Sequence, residues 1–230
     1  MGAEKATRQA SSRTLKEEGV RQDIERFKEK AVELGASAAE IIPSSAIVVE
    51  ERVRMKCLIP RCGALRDGGT PYCPPNSPEP EFSRKVFAEY RWAVLFKRDV
   101  GPLENYTYTT EEERRKSRSG KEPKRASFHE DTWKIGNRLE SYIQSQGYDL
   151  ALGLSGGSCK GNLCHGAPCA VISDGSCRFP LEARPSMEAM GIDVFDLANK
   201  VGWDVYMVRG LEPEPEEIPC AISVGIVFVY

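Results

Sequence analysis

The sequence has no large excess of charge of either sign and no long apolar run. Its 32 Lys and Arg residues oppose 34 Asp and Glu residues, which leaves a formal net charge of −2. Nucleic acids and anionic membranes are recruited by a positive surface, so this balance argues against both as partners. The longest apolar stretch, 221–230, has about half the length of a membrane-spanning helix. The segment 1–19 lacks the apolar core of a signal peptide, so we expect a flexible lead-in and a cytoplasmic protein.

Histidine is scarce and close C-x2-C pairs are absent, yet the chain contains eight cysteines. Disulfide frameworks belong to short secreted chains, whereas 230 residues can build an apolar core without them. In a reducing cytoplasm, clustered thiols are more often metal ligands or redox groups. Seven of the eight cysteines fall in two short windows, and Cys220 stands alone.

The periodicity of apolar residues predicts a single domain, 20–230, in which helices and strands alternate. Steps of three and four residues predict helices at 20–34, 82–90, 133–143 and 193–201. β-branched and apolar runs predict strands at 46–55, 92–96, 150–154, 205–208 and 221–230. The expected fold class is α/β (mixed α+β), with a central mixed sheet flanked by helices and two cysteine-rich loops at strand ends.

The hydrophilic segment 101–127 is interpreted as a charged insertion or mobile loop. It contains seven basic residues between Arg114 and Arg125. They could dock an acidic redox partner, but a solvated loop is the favoured interpretation.

The second cysteine window supplies four thiols within 19 residues: Cys159, Cys164, Cys169 and Cys177. A loop rich in Gly and Ser can wrap a compact body and point four sulfurs inward. Four thiolates are the usual complement of an iron-sulfur cluster, which is the favoured interpretation. A structural zinc ion is the alternative, although zinc ribbons usually use close C-x2-C pairs. Inert or redox-active thiols are the third possibility.

The first window supplies three thiols, Cys57, Cys62 and Cys73, and Pro74 follows the last, as in bacterial ferredoxins. No fourth ligand is local. The candidates are Cys220, a cysteine of the second window, a carboxylate, His165, or no protein group at all. In the last alternative an open iron could bind sulfide or substrate. Otherwise, Cys57 and Cys62 are small buried thiols beside a strand.

Arg178 and Arg184 flank the last cysteine of the second window. Their positive charge would stabilise a reduced cluster, so both are candidate cofactor-binding residues, although ordinary salt bridges explain them equally well. His165 is a candidate ligand, but an exposed loop histidine is the favoured interpretation. The glycine-rich stretch 153–161 lacks the residue order of a phosphate-binding loop, so nucleotide binding is not expected.

Two literal stretches carry a resemblance to a known family. One runs from Met55-Lys56-Cys57 to Tyr72-Cys73-Pro74-Pro75-Asn76, and the other from Cys177-Arg178-Phe179-Pro180 to Gly191-Ile192-Asp193-Val194. They resemble a cysteine-rich family from anaerobic bacteria and archaea, known chiefly as predicted metal-binding proteins of unknown function. The similarity runs from about Glu50 to Val208. It implies that the seven window cysteines are metal ligands, and it implies no particular reaction.

Together these features predict a protein that binds one or two [4Fe-4S] clusters per chain and exchanges single electrons with an anaerobic enzyme. A redox partner protein is expected, with no nucleic acid and no membrane, and the oligomeric state is left open. One alternative is an enzyme or sulfur carrier that uses an open iron at the three-cysteine site. The other is a zinc-stapled interaction protein.

Overall fold

The computed structural model describes residues 17–121 and 125–230. In these ranges the helices are α1 (Glu17–Glu33), α2 (Glu51–Leu58), α3 (Pro80–Ala88), α4 (Glu111–Arg118), α5 (Glu130–Ser145), α6 (Cys159–Asn162), α7 (Ala170–Asp174) and α8 (Val194–Lys200). The strands are β1 (Ala38–Pro43), β2 (Trp92–Asp99), β3 (Leu152–Leu154) and β4 (Ile222–Phe228). Most of the expected lead-in, 1–16, lies outside the described residues, and α1 already begins within its last three residues.

The four strands form one sheet in the order β1-β2-β4-β3. All three described pairs of strands are antiparallel, and Phe96 of β2 lies opposite Ala39 of β1 and Gly225 of β4. The expected α/β class is therefore confirmed, but the expected mixed sheet is wrong. Periodicity reveals that a segment is a strand, whereas strand direction depends on how distant segments pair.

Helices cover both faces of this sheet because alternate residues of a strand point to opposite sides. On one face, Phe96 and Val227 pack with residues of α1 and α5. On the other face, Leu95 and Ile226 pack with residues of α3 and α8. Every residue of β4 is buried, so its sequence is apolar on both faces except at Ser223.

The helices predicted from periodicity are confirmed, with ends that shift by a few residues, but two predicted strands are wrong. Residues 51–58 form helix α2, and before it Val49 makes only an isolated bridge to Ile192. Residues 205–208 pair with no strand and instead line a cavity. The sequence analysis also missed β1, whose residues are mostly half-buried and show no clear alternation.

The charged segment 101–127 contains regular structure where a mobile loop was expected. The Thr110 hydroxyl caps α4 by accepting the Glu113 N–H over 3.2 Å. Basic residues of α4 pair with acids of the same helix, as in Arg114–Glu111 and Lys116–Glu112. The helix therefore has a mixed charge rather than a positive face. Residues 122–124 of this segment lie outside the described residues.

Candidate metal centre

The first group of cysteines begins at the end of helix α2, not at the end of a strand as expected. Cys57 is in the last turn of α2. The Cys62 N–H donates to the Cys57 carbonyl over 2.9 Å, so the chain turns back on itself there. Cys73 lies in the loop before α3, and its carbonyl accepts the N–H groups of Asn76 and Ser77 at 2.9 and 3.0 Å. These bonds give both ends of the window a defined backbone.

A buried arginine orders the proline-rich loop that carries Cys73. Arg54 of α2 is 5% exposed, and its guanidinium pairs with Glu79 and donates to the Ser77 carbonyl over 3.2 Å. The Ser77 hydroxyl in turn donates to the Ala189 carbonyl over 3.4 Å. The loop is thus fixed to α2 on one side and to the segment around Ala189 on the other.

The three thiols of the first group line one cavity of about 480 Å³, which we call the large cavity. His129 and Glu188 line the same cavity, as do the backbones of Gly156 and Gly157. The segment 205–208 and the β4 residues Ile222 and Val224 supply an apolar part of the wall. The first group therefore faces a space of the size that small-molecule sites occupy.

Burial raises the pKa of the Cys57 thiol to about 11. The nearby Cys62, Glu188 and Cys73 add to this increase, and only Arg54 opposes it. The thiol is therefore protonated at neutral pH until a metal ion displaces the proton. Cys62, by contrast, is exposed and marks the surface side of the group.

The second group of cysteines follows strand β3. The Ser158 hydroxyl caps α6 by accepting the Lys160 N–H over 3.2 Å, which places Cys159 in the first position of that helix. The Cys164 N–H then donates to the Cys159 carbonyl over 3.3 Å. Cys169 precedes α7 and Cys177 follows it, with α7 ended by a residue in the left-handed region, Gly175 (φ 78°).

All four thiols of the second group line one small cavity, together with Tyr72 and Lys160. Burial raises the pKa of the Cys159 thiol to about 12, and the Cys73, Cys164 and Cys169 thiols contribute to the increase. The Phe179 N–H donates to Cys177 Sγ over 3.3 Å. Hydrogen bonds from backbone N–H groups to sulfur are one of the means by which proteins tune iron-sulfur clusters.

The two groups meet at Cys73. Its Sγ atom lies 3.5 Å from the Ser158 hydroxyl, next to Cys159. Cys73 is also the neighbouring thiol that most strongly raises the pKa of Cys159, and both residues are 8% exposed. The seven window cysteines thus form two adjoining groups rather than two separate ones.

Two of the proposed fourth ligands of the first group lie elsewhere. The Cys220 thiol donates to the Asp204 carbonyl over 3.4 Å and lines neither cavity. His165 is an exposed loop residue in the left-handed region (φ 49°), and it also lines neither cavity. The carboxylate of Glu188 and the second-window residue Cys159 are the candidates that lie near the first group.

The two candidate cofactor-binding arginines already have protein partners. Arg184 forms an ion pair with the buried Glu140, with Nη2 2.6 Å from Oε1. Glu140 also accepts the Gly153 N–H over 2.8 Å, so the pair ties α5 to β3 and to the chain after the second group. Arg178 donates to the Pro168 carbonyl over 2.8 Å and lines the small cavity. Of the two arginines, Arg178 lines the small cavity and Arg184 does not.

His129 and Glu188 received no role from the sequence, yet both line the large cavity. Burial lowers the pKa of His129 to about 4, so its imidazole is neutral, and Nδ1 lies 2.8 Å from the Ser223 hydroxyl. Burial raises the pKa of Glu188, and its Oε2 oxygen is buried without a hydrogen-bond partner. Two signals in the sequence could have pointed to these residues. Histidine is scarce, and Glu188 lies in the stretch from Cys177 to Val194 that resembles the family.

Within 17–121 and 125–230, no group of three or more Cys, His, Asp or Glu side chains lies close enough to hold a metal ion. A zinc ion needs four sulfurs at about 2.3 Å from a single point. The ligands of a cluster bind different irons, and their sulfurs therefore lie farther apart. The structure places the four thiols of the second group around one small cavity without bringing three of them within reach of a single ion.

Comparison with known proteins identifies the family. No curated protein and no solved structure matches the chain. In the part of the chain that the structure describes, no helix is long and apolar enough to cross a membrane. Residues 40–222, which include all eight cysteines, match the family described as "Predicted metal-binding protein (DUF2284)". The chain belongs to this family of predicted metal-binding proteins.

Proposed function

We propose that the protein binds iron-sulfur clusters and transfers single electrons. Cys159, Cys164, Cys169 and Cys177 would hold a [4Fe-4S] cluster, and the first group would hold a second metal centre. The observation that carries this proposal is the convergence of four thiols from one short segment on one small cavity. The N–H···S bond to Cys177 and the buried setting of Cys159 are features that set the potential of such a cluster.

The contact at Cys73 supports electron transfer between the two groups. Buried Cys159 adjoins Cys73, whose group extends to Cys62 at the surface. An electron could therefore pass from the enclosed cluster to a redox partner protein that docks beside Cys62. Arg178, at the wall of the small cavity, would stabilise the reduced and more negative cluster.

Metal analysis of protein purified without exposure to air tests the proposal. We expect a brown protein with about four to eight iron atoms per chain and matching acid-labile sulfide. Cys177→Ser should lower the iron content, whereas the matched control Cys220→Ser should leave it unchanged because that thiol lines neither cavity. A colourless protein with stoichiometric zinc would overturn the proposal.

A second candidate function is an enzyme or sulfur carrier with an open iron at the first group. The large cavity favours it, because three thiols face a space wide enough for a small molecule and Cys220 does not complete the set. An iron without a fourth protein ligand binds exogenous ligands and acts as a Lewis acid there.

Electron paramagnetic resonance of the reduced protein, with and without added sulfide, separates the two candidates. A signal that changes with sulfide in wild type and in Cys177→Ser, but not in Cys57→Ser, indicates an exchangeable iron at the first group. Spectra that sulfide leaves unchanged in all three proteins favour the electron carrier.

A further inference from the structure

We propose that two side-chain hydroxyls, those of Ser158 and Thr70, are positioning residues of the metal centre, and that each holds a ligand sulfur of the other cysteine group. Ser158, in the loop that leads to the second group, holds Cys73 of the first group. Thr70, in the loop of the first group, holds Cys159 of the second. This inference rests on the proposed role of the window cysteines as metal ligands, but not on which metal they bind.

The Ser158 hydroxyl faces Cys73 with its oxygen already fixed. Its Oγ accepts the Lys160 N–H over 3.2 Å and lies 3.5 Å from Cys73 Sγ. A hydroxyl that accepts one hydrogen bond still has its own proton to donate. A metal-bound cysteine is a thiolate, which has no proton and can only accept. Ser158 is therefore the donor of this pair once a metal is bound.

Thr70 repeats this arrangement from the other side. Its Oγ1 accepts the Tyr72 N–H over 3.2 Å, again from the residue two positions along the chain. The Thr70 side chain is 1% exposed, lines the small cavity with the thiols of the second group, and donates a hydrogen bond to Cys159. The Thr70 carbonyl accepts the Cys73 N–H and Asn76 Nδ2, both over 3.2 Å, so the backbone at Thr70 is fixed as well. A loop of the first group thus reaches a sulfur of the second.

The two bonds cross between the groups, which gives each hydroxyl a role outside its own loop. A donor at a thiolate sulfur stabilises the negative charge and fixes the direction in which the sulfur points. The loss of such a partner of a metal ligand typically weakens metal binding by about 10–100-fold. Removal of the Thr70 hydroxyl should therefore weaken metal binding at the second group, and removal of the Ser158 hydroxyl should weaken it at the first.

The rate of metal loss to excess EDTA tests the role of Thr70, with iron and zinc both counted by elemental mass spectrometry on anaerobically purified protein. Thr70→Val keeps the shape of the side chain without its hydroxyl, and it should lose metal about tenfold faster than wild type. Thr70→Ser keeps the hydroxyl and should stay close to the wild-type rate. The matched control is Thr132→Val, because the Thr132 hydroxyl is buried without a partner and lines neither the large nor the small cavity. It should also keep the wild-type rate.

Ser158→Ala needs a different control, since Ser158 also caps α6. Thr110→Ala removes the hydroxyl cap of α4, which lines neither cavity. Urea unfolding of the metal-free proteins measures the loss of each cap, and we expect both variants to be destabilised to a similar extent. Only Ser158→Ala should also lose metal about tenfold faster.

Two cysteine variants test which group each hydroxyl serves. Cys57→Ser disrupts the first group, and Thr70→Val added to it should still speed metal loss. Cys177→Ser disrupts the second group, and Ser158→Ala added to it should do the same. The inference is overturned if the two hydroxyls serve the opposite groups, if Thr70→Ser loses metal as fast as Thr70→Val, if Thr70→Val keeps the wild-type rate, or if the protein holds no metal. Zinc without acid-labile sulfide in the same samples would overturn the proposed cluster alone, because the comparison of release rates holds for either metal.

Discussion

Replacing Gly156 with alanine tests the close approach between the loop that leads to Cys159 and the wall of the large cavity. A Cβ at Gly156 would lie 2.5 Å from Nδ1 of His129 and 2.7 Å from its Cε1. The ring cannot retreat freely, because Nδ1 also lies 2.8 Å from the Ser223 hydroxyl. Gly161, in α6, is the matched control, since a Cβ there would meet nothing within 4 Å.

The expected cost follows from these contacts. Moving the imidazole breaks its bond to Ser223, which is worth about 1 kcal/mol. Overpacking a filled site costs about 1–3 kcal/mol more. Gly156→Ala should therefore lower the free energy of unfolding by about 2–4 kcal/mol. Gly161→Ala should raise it by about 0.4–1 kcal/mol, because alanine restricts the unfolded chain without a clash.

Urea unfolding of both variants, followed by tryptophan fluorescence under anaerobic conditions, measures the difference. Equal stabilities for the two alanine variants would refute the proposed packing of His129 against the loop. A loss of stability in Gly161→Ala alone would show that the chain takes a different path into α6.

Three further predictions concern charge and pH. Because the pKa of His129 falls from 6.5 in the unfolded chain to about 4, its contribution to stability is present above pH 6.5 and is lost as the pH falls toward 4. The free energy of unfolding of the wild type, measured with urea, should fall by about 2 kcal/mol between pH 7 and pH 5. The same fall in a His129→Gln variant would contradict the assignment to His129. Glu140→Gln leaves Arg184 unpaired and should cost about 3 kcal/mol in the same assay, whereas the exposed-pair control Glu81→Gln should cost under about 1 kcal/mol. In metal-free protein treated briefly with iodoacetamide, mass spectrometry should show that Cys62 is alkylated before Cys57 and Cys159. The pKa values of about 11 for Cys57 and about 12 for Cys159 disfavour the reactive thiolate. Faster labelling of Cys159 would contradict its burial.

Apolar periodicity predicted the helices and strands whose buried surface is clearly apolar. Helices α1 and α5 repeat apolar residues at steps of three and four, and β4 is apolar except at Ser223, so each could be recognised from its own sequence. Helix α2 buries only Val53 and Arg54, and the β-branched residues just before it, Ile47, Val48 and Val49, resemble a strand. Segment 205–208 has the composition of a strand but lines a cavity, which depends on where the rest of the chain places it.

Cysteine spacing predicted the sets of thiols better than it predicted their surroundings. The four thiols of the second window share a cavity because one short segment carries them all, and their short spacing in the sequence predicts that they lie close together. The approach of Cys73 to Ser158 joins residues from distant parts of the chain. His129 and Glu188 likewise come from separate elements, the start of α5 and the segment before α8. No local pattern reports contacts that form only when the sheet assembles.

The protonation of the buried thiols bears on what the cysteines do. A redox-active thiol reacts as a thiolate, and proteins that use one lower its pKa with nearby positive charge. Cys57 and Cys159 show the reverse, because burial and neighbouring thiols raise their pKa values to about 11 and 12. A bound metal is the partner that would stabilise their thiolates, and its binding would release their protons. Metal affinity at both groups should therefore rise with pH. Burial makes these thiols poor nucleophiles, and a metal has to displace their protons before they can act as ligands.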